Sequence, residues 1–184
     1  MSNYRVYTIE DAPENSRTIL EDTQKKFGFI PNLFGVLAES PSALEGYASI
    51  GDAFSKSSLS PIEQQVVLLA TSFENGCTYC MAAHSAVAKM VKASDDVTHA
   101  LRTGGAIPDG RLEALRTFTR SVVEKRGWIS QEDIQSFLDS GFDKAQILEV
   151  ITGVAQKTLS NYTNHIAHTP LDEAFQTFAW KAPQ

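Results

Sequence analysis

One all-α domain of about eight helices is what this sequence predicts, and three observations carry that prediction. Helix-start pairs and glycine stops punctuate the chain at short intervals, and the apolar residues between them recur at helical spacing. Alternating strand patterns are nearly absent, RVYTI near the N-terminus being the only one. At 184 residues the chain suits a single domain over 1–184 with room for a substantial core.

Each element has its own local reason. Pro13 lies just inside a start after Asp11, and SRTILEDTQKKF runs to a stop at Gly28. IPNLFGVLAES gives a short amphipathic piece, and Ser40-Pro41 opens the next helix with proline at its first position. Ser60-Pro61-Ile62-Glu63 is a capping box ahead of VVLLATSF, which ends at Asn75-Gly76. CTYCMAAHSAVAKMVKA then begins at Cys77, Ala-rich and fit for close burial, with Met81 and Met90 as core filler. Ser94, Asp109 and Ser130 cap three further helices. The longest run extends from about Asp143 to Ala167, with Ile147, Val150, Ile151 and Val154 at helical spacing. No solenoid-length repeat or low-complexity segment occurs.

Composition narrows the function. Net charge is −6 and no Lys/Arg block occurs, which argues against nucleic acid, whose non-specific binding rests on clustered cations. No apolar run approaches the ~20 residues that span a bilayer. MSNYRVYTIEDAPENS has neither the apolar core of a signal peptide nor the Arg-rich pattern of a transit sequence, so the expected location is cytoplasmic. The glycine-containing stretches follow no phosphate-binding pattern, and the residues present require no metal, flavin or haem.

The only two cysteines stand three apart in ENGCTYCMAAHS, with a histidine four residues further on. At ~100° per residue, Cys77, Cys80 and His84 fall within about 60° on one helix face, and His84 sits roughly 6 Å beyond Cys80 along the axis. Free N–H groups and the helix dipole at the start of that helix favour a thiolate, the form that attacks or coordinates. Taken alone, these residues leave several readings open. Two buried small hydrophobes would give the same spacing. Zinc would gain three ligands but lacks a second Cys or His pair, and a thioredoxin-like couple requires a βαβ context that is missing. A thiolate near a base, with a second thiol in reach to resolve its oxidised form, is a peroxidatic couple.

The stretch SPIEQQVVLLATSFENGCTYCMAAHSAVAKM, residues 60–90, resembles the core of the alkylhydroperoxidase (AhpD-like) branch of the carboxymuconolactone decarboxylase superfamily. In that pattern NGCxxCxxxH opens a helix directly after an apolar one. The resemblance implies an oxidoreductase that reduces H2O2 or small organic hydroperoxides, or a thiol-disulfide reductase with little peroxidase activity. It also implies a peroxide or disulfide substrate, an external dithiol as reductant and a homo-oligomer (dimer, trimer or hexamer). The lactone decarboxylases generally lack the CxxC. By the same resemblance Cys80 attacks peroxide, Cys77 resolves the sulfenic acid, and His84 takes part in proton transfer.

The family's relay glutamate lies twelve positions before the first cysteine, where this chain has Gln65, and an amide cannot take and return a proton. Glu63 is two positions away with a capping role of its own, and Glu74 precedes Cys77 by three and could reach the thiols from the interhelix turn, as a relay carboxylate or as a solvated loop charge. Tyr79 stands between the cysteines, as packing or as the wall of an entrance. Near the end of the longest run, Asn161, Tyr162, Asn164, His165 and His168 suit a hydrogen-bonded helix terminus, with His165 or Tyr162 as accessory groups reaching the thiols. A non-catalytic helical assembly or metal-binding module is the reading left if the thiols do no chemistry.

Overall fold

A computed structural model describes residues 4–182. Its elements are α1 (Glu14–Phe27), α2 (Asn32–Leu37), α3 (Pro41–Ser55), α4 (Pro61–Glu74), α5 (Thr78–Met90), α6 (Asp95–Thr103), α7 (Gly110–Glu124), α8 (Gln131–Asp139) and α9 (Lys144–Ala167), followed by a 3₁₀ turn, Glu173–Phe178. The all-α class is as expected, and the side-chain caps at Ser40, Ser60, Ser94, Asp109, Ser130 and Asp143 form, whereas at α1 Pro13 is itself the N-cap residue and no side chain caps the helix. Ser60 accepts from the Glu63 N–H while the Glu63 carboxylate accepts from the Ser60 N–H, which completes the box. Asp143 and Gln146 make a second box at α9. RVYTI forms no strand. Its backbone is tied by the Tyr7 N–H donating to the Gly35 carbonyl at 3.1 Å and by the Thr8 carbonyl accepting from the Ala12 N–H at 3.1 Å. Val6 packs where Gly35 lacks a side chain, since a Cβ there would stand 2.7 Å from Val6 Cγ1.

α4 is the hub, packed against α7, α5, α9 and α6. Its residues from Gln65 to Ser72 are all buried, so this helix has no solvent face and must be surrounded. The larger apolar cluster joins α4 to α6, α7 and α8, with the Phe137 ring stacked between Phe118 (4.2 Å) and Phe142 (4.3 Å). A smaller cluster holds Leu20, Leu33, Leu37, Leu44 and Tyr47 together with Cys77, Tyr79 and Cys80. The motif therefore sits where α5 meets α1, α2 and α3. Met81 is fully buried, but Met90 ends α5 at 78% exposed and fills no core.

α9 crosses α4 closely because of Gly153. A Cβ there would lie 2.7 Å from Val67 Cγ1 and 2.8 Å from Phe54 Cζ. Gly153→Ala is expected to destabilise the fold by about 1–3 kcal/mol although alanine is the better helix former, because two packed side chains would have to move. Thermal unfolding checks this as a fall of about 2–4 °C per kcal/mol.

The pattern of α9 departs from an ordinary amphipathic helix. Val150 is fully buried, and Ile147 and Val154 flank the core, but Ile151 points outward with Leu148, Tyr162 and Ile166. In its second half the buried face is polar: Lys157, Ser160, Asn161 and Asn164, spaced three and four apart. That stripe faces the cysteines.

Candidate active site

The turn between α4 and α5 places Cys77. Gly76 adopts φ +64°, its N–H donates to the Phe73 carbonyl, and the Cys77 N–H donates to the Ser72 carbonyl at 2.9 Å. These are the paired bonds of a Schellman ending, so the Asn-Gly-Cys order fixes the backbone that carries the first thiol. Cys77 is the N-cap of α5, one residue outside the helix where the sequence put it, and Cys80 lies in the first turn. Both thiols are free and both residues are 1% exposed.

What surrounds Cys80 comes mostly from α9. Asn164 Nδ2 donates to Cys80 Sγ at 3.3 Å and approaches Cys77 Sγ at 3.8 Å, and Ser160 Oγ stands 3.7 Å from Cys80 Sγ. The Lys157 ammonium, fully buried, lies 2.8 Å from His84 Nε2 and near enough to Cys80 for their charges to stabilise one another. None of the ion pairs among the described residues gives Lys157 a carboxylate partner. A buried ammonium with no counter-charge is very costly, and the sulfur of Cys80 is the group placed to supply one.

The acidities follow. Burial pushes the Cys80 thiol up, but the Cys77 S–H, the Lys157 ammonium, Ser160 and Asn161 outweigh it and bring its pKa to about 5. The Cys77 thiol is driven strongly upward, first by donating to Cys80 and then by burial. For Lys157, burial works against the charge, yet Cys80, Tyr47 and Cys77 hold its pKa above the ordinary value. Tyr47 stays protonated because burial raises it. The resting pair is a Cys80 thiolate beside a Lys157 ammonium. The sequence suggested His84 as the base beside the thiolate. Burial and the neighbouring lysine keep that ring well below its usual pKa, hence neutral. With Lys157 donating to Nε2, His84 donates from Nδ1 to Gln65 Oε1 at 3.0 Å.

Gln65 thus reaches His84 from the position where the family has glutamate, and it serves as an acceptor rather than a relay. No carboxylate among the described residues is hydrogen-bonded to His84. Glu63 is held by Ser60 and by Arg111 Nε, 2.9 Å away. Glu74 turns from the thiols and pairs with Arg120 of α7, so the structure does not bring it to Cys77. Tyr79 is buried and donates its hydroxyl to Asp172 Oδ2 at 2.5 Å, while Asp172 Oδ1 accepts from the Asn32 N–H at 2.9 Å. It ties α5 to the start of α2 and to the segment after α9. His165 is exposed and bonds neither sulfur.

A cavity of about 440 Å³ opens on this arrangement. Cys77, Thr78 and Tyr79 form one side, and Asn164, His165, His168 and Thr169 the other. Cys80 does not line it. Among the described residues no three His, Cys, Asp or Glu side chains gather as a metal cage. No helix of the described residues is long and apolar enough to cross a membrane.

Sequence reasoning missed Lys157 and gave Asn164 no role at the thiols. A lysine inside an otherwise apolar or small-residue stretch, GVAQKTLSN, was the available signal. Its distance in sequence from the cysteines hid the connection.

Helices wrapped around a CxxC helix start, with a histidine one turn on, define an AhpD-like architecture. Residues 41–121 match the model of the carboxymuconolactone decarboxylase family. It is similar in structure to an alkylhydroperoxidase AhpD core, an uncharacterized peroxidase-related protein from Ralstonia eutropha JMP134, with 24% identity, TM-score 0.84, and 94% of this chain and 93% of that one covered. A peroxidase-related protein from Silicibacter sp. TM1040 aligns at 17% identity and TM-score 0.80, covering 95% and 96%. The debrominase Bmp8, in a Cys-to-Ala form complexed with 2,3,4-tribromopyrrole, aligns at 13% identity and TM-score 0.80, covering 97% and 96%. No curated protein matches the sequence.

Proposed function

We propose that this protein is a thiol-dependent peroxidase that reduces H2O2 or small organic hydroperoxides at Cys80. The observation that carries the reading is the buried Lys157 ammonium beside Cys80, with the Cys77 thiol donating to the same sulfur. The Cys80 thiolate attacks the terminal oxygen of ROOH, and the O–O bond breaks. The alkoxide leaves and takes a proton from Lys157, giving ROH and a Cys80 sulfenic acid. With its counter-charge consumed, the lysine gains by becoming neutral, so proton donation and thiolate loss favour one another. The Cys77 thiol then displaces water from the sulfenic acid, closing the Cys77–Cys80 disulfide. An external dithiol reduces that bond, becoming a disulfide itself, and the Cys80 proton returns to Lys157. In this scheme His84 orients the lysine, and the proton that the family routes through a glutamate comes from α9.

Mass spectrometry and thiol titration test the scheme. One equivalent of H2O2 should convert both thiols to one intramolecular disulfide, and thiols untouched by peroxide would end the proposal. A pH profile checks the ionisation. Protonated Cys80 is inert, so alkylation by iodoacetamide should rise through about pH 5 and then level off. An ordinary thiol would keep gaining up to about pH 8.5.

A second reading is a thiol-disulfide reductase of the same fold. It is favoured by the cavity's meeting Cys77 rather than Cys80, and by the amide at Gln65. Turnover on a small disulfide compared with turnover on cumene hydroperoxide separates the two.

A further inference from the structure

Asn164 lines the cavity and also bonds Cys80 from the facing helix. Its amide orientation is fixed by chemistry, since a thiolate accepts and cannot donate, so the –NH2 must face the sulfurs. The other end of the amide has no partner. Asn164 Oδ1 is buried without a hydrogen bond, in a residue 6% exposed, and so is the Thr169 Oγ1 on the same cavity. Such orphan acceptors are rare in folded proteins and point to a bonding partner supplied from outside.

We infer that Asn164 positions the substrate, its Oδ1 accepting the terminal O–H of a hydroperoxide in the cavity while its Nδ2 holds the Cys80 sulfur. This rests on the peroxidase reading and names the part of the substrate that is recognised: the OOH group, with the Thr169 hydroxyl as a second polar contact. One amide then brings the attacking sulfur and the attacked oxygen together, which is how orientation lowers a barrier. The R group of ROOH extends into the cavity between Thr78 and His168.

The test compares two reactions of the same sulfur: oxidation by H2O2, which carries the O–H donor, and alkylation by iodoacetamide, which lacks an OOH. In Asn164→Ala the ratio of the H2O2 rate to the iodoacetamide rate should fall about tenfold, the effect of one hydrogen bond. In Asn164→Asp an acceptor survives but the donor is lost. Both rates should then drop as the thiolate is disfavoured, while their ratio stays within about twofold of wild type. The aspartate variant gives the answer if the alanine variant does not fold. A wild-type ratio retained in Asn164→Ala, or a tenfold loss in Asn164→Asp, overturns the role of Oδ1 and leaves the peroxidase reading standing. Failure of the wild-type protein to react with H2O2 removes both.

Discussion

Replacing Lys157 with methionine is expected to move the ionisation of Cys80 from about 5 up toward the ordinary thiol value of about 8.5. Burial disfavours the thiolate at this site, and in the native protein the ammonium is the nearest full charge opposing it. Without that charge the desolvation penalty is opposed only by the hydrogen bonds of Cys77, Ser160 and Asn161. The variant should still fold, because Cys80 takes up a proton and leaves no unpaired charge behind, and methionine fits the buried space of the lysine stem. Thiolate absorbance against pH reads the shift directly. Peroxide reduction at pH 7 should fall on the order of a hundredfold, since the variant loses its proton donor along with most of its thiolate. A pH midpoint left near 5 would show that another group holds the sulfur ionised.

Cys80→Ser is expected to abolish peroxide consumption and also to weaken the fold. Serine does not ionise, so the buried Lys157 ammonium loses its counter-charge, a loss that costs about 3–5 kcal/mol in comparable buried pairs. The lysine escapes part of that cost by shedding its proton. Its pKa in the folded variant then lies below the unfolded value, so the penalty is full at low pH and relieved as pH rises. Thermal unfolding should therefore show the deficit relative to wild type shrinking between about pH 9 and pH 10, above the unfolded thiol's pKa of about 8.5 where the wild type gains nothing more from Cys80, a pH trend that a simple packing defect would not produce. Cys77→Ser behaves differently. It should consume one equivalent of peroxide and stop, with a mass gain of one oxygen on Cys80, because no second thiol is there to close the disulfide. Continued turnover in Cys77→Ser with a dithiol present would mean that the reductant resolves the sulfenic acid unaided.

Gln65 illustrates how much of the site was legible along the chain. The resemblance pointed twelve positions back from Cys77 to Gln65, and that residue does contact His84. Spacing along the chain, here Ser60 to Glu63, also placed Glu63 in its capping box. It failed for Glu74, whose side chain leaves α4 on the face turned to α7 and finds Arg120 there. Which face meets which partner depends on how helices pack, and spacing alone is silent on that. The outward Ile151 and the inward Asn161 of α9 reverse the usual apolar rule for the same reason. That stretch of helix covers a polar site, so its buried face carries the groups the site needs.

Caps, stops and 3.6-residue periodicity are local, formed by residues within a turn or two of one another, and so the sequence by itself determined the helices, their class and the Schellman turn that sets Cys77. The charge on Cys80 is not local. Lys157 meets the CxxC helix 73 residues beyond His84, and only the crossing of α9 over α4, close enough because Gly153 has no side chain, brings its ammonium beside the sulfur. The tertiary structure thus decided which cation ionises the thiol, and it did so because burial makes an unpaired charge too costly to leave on either side of the pair.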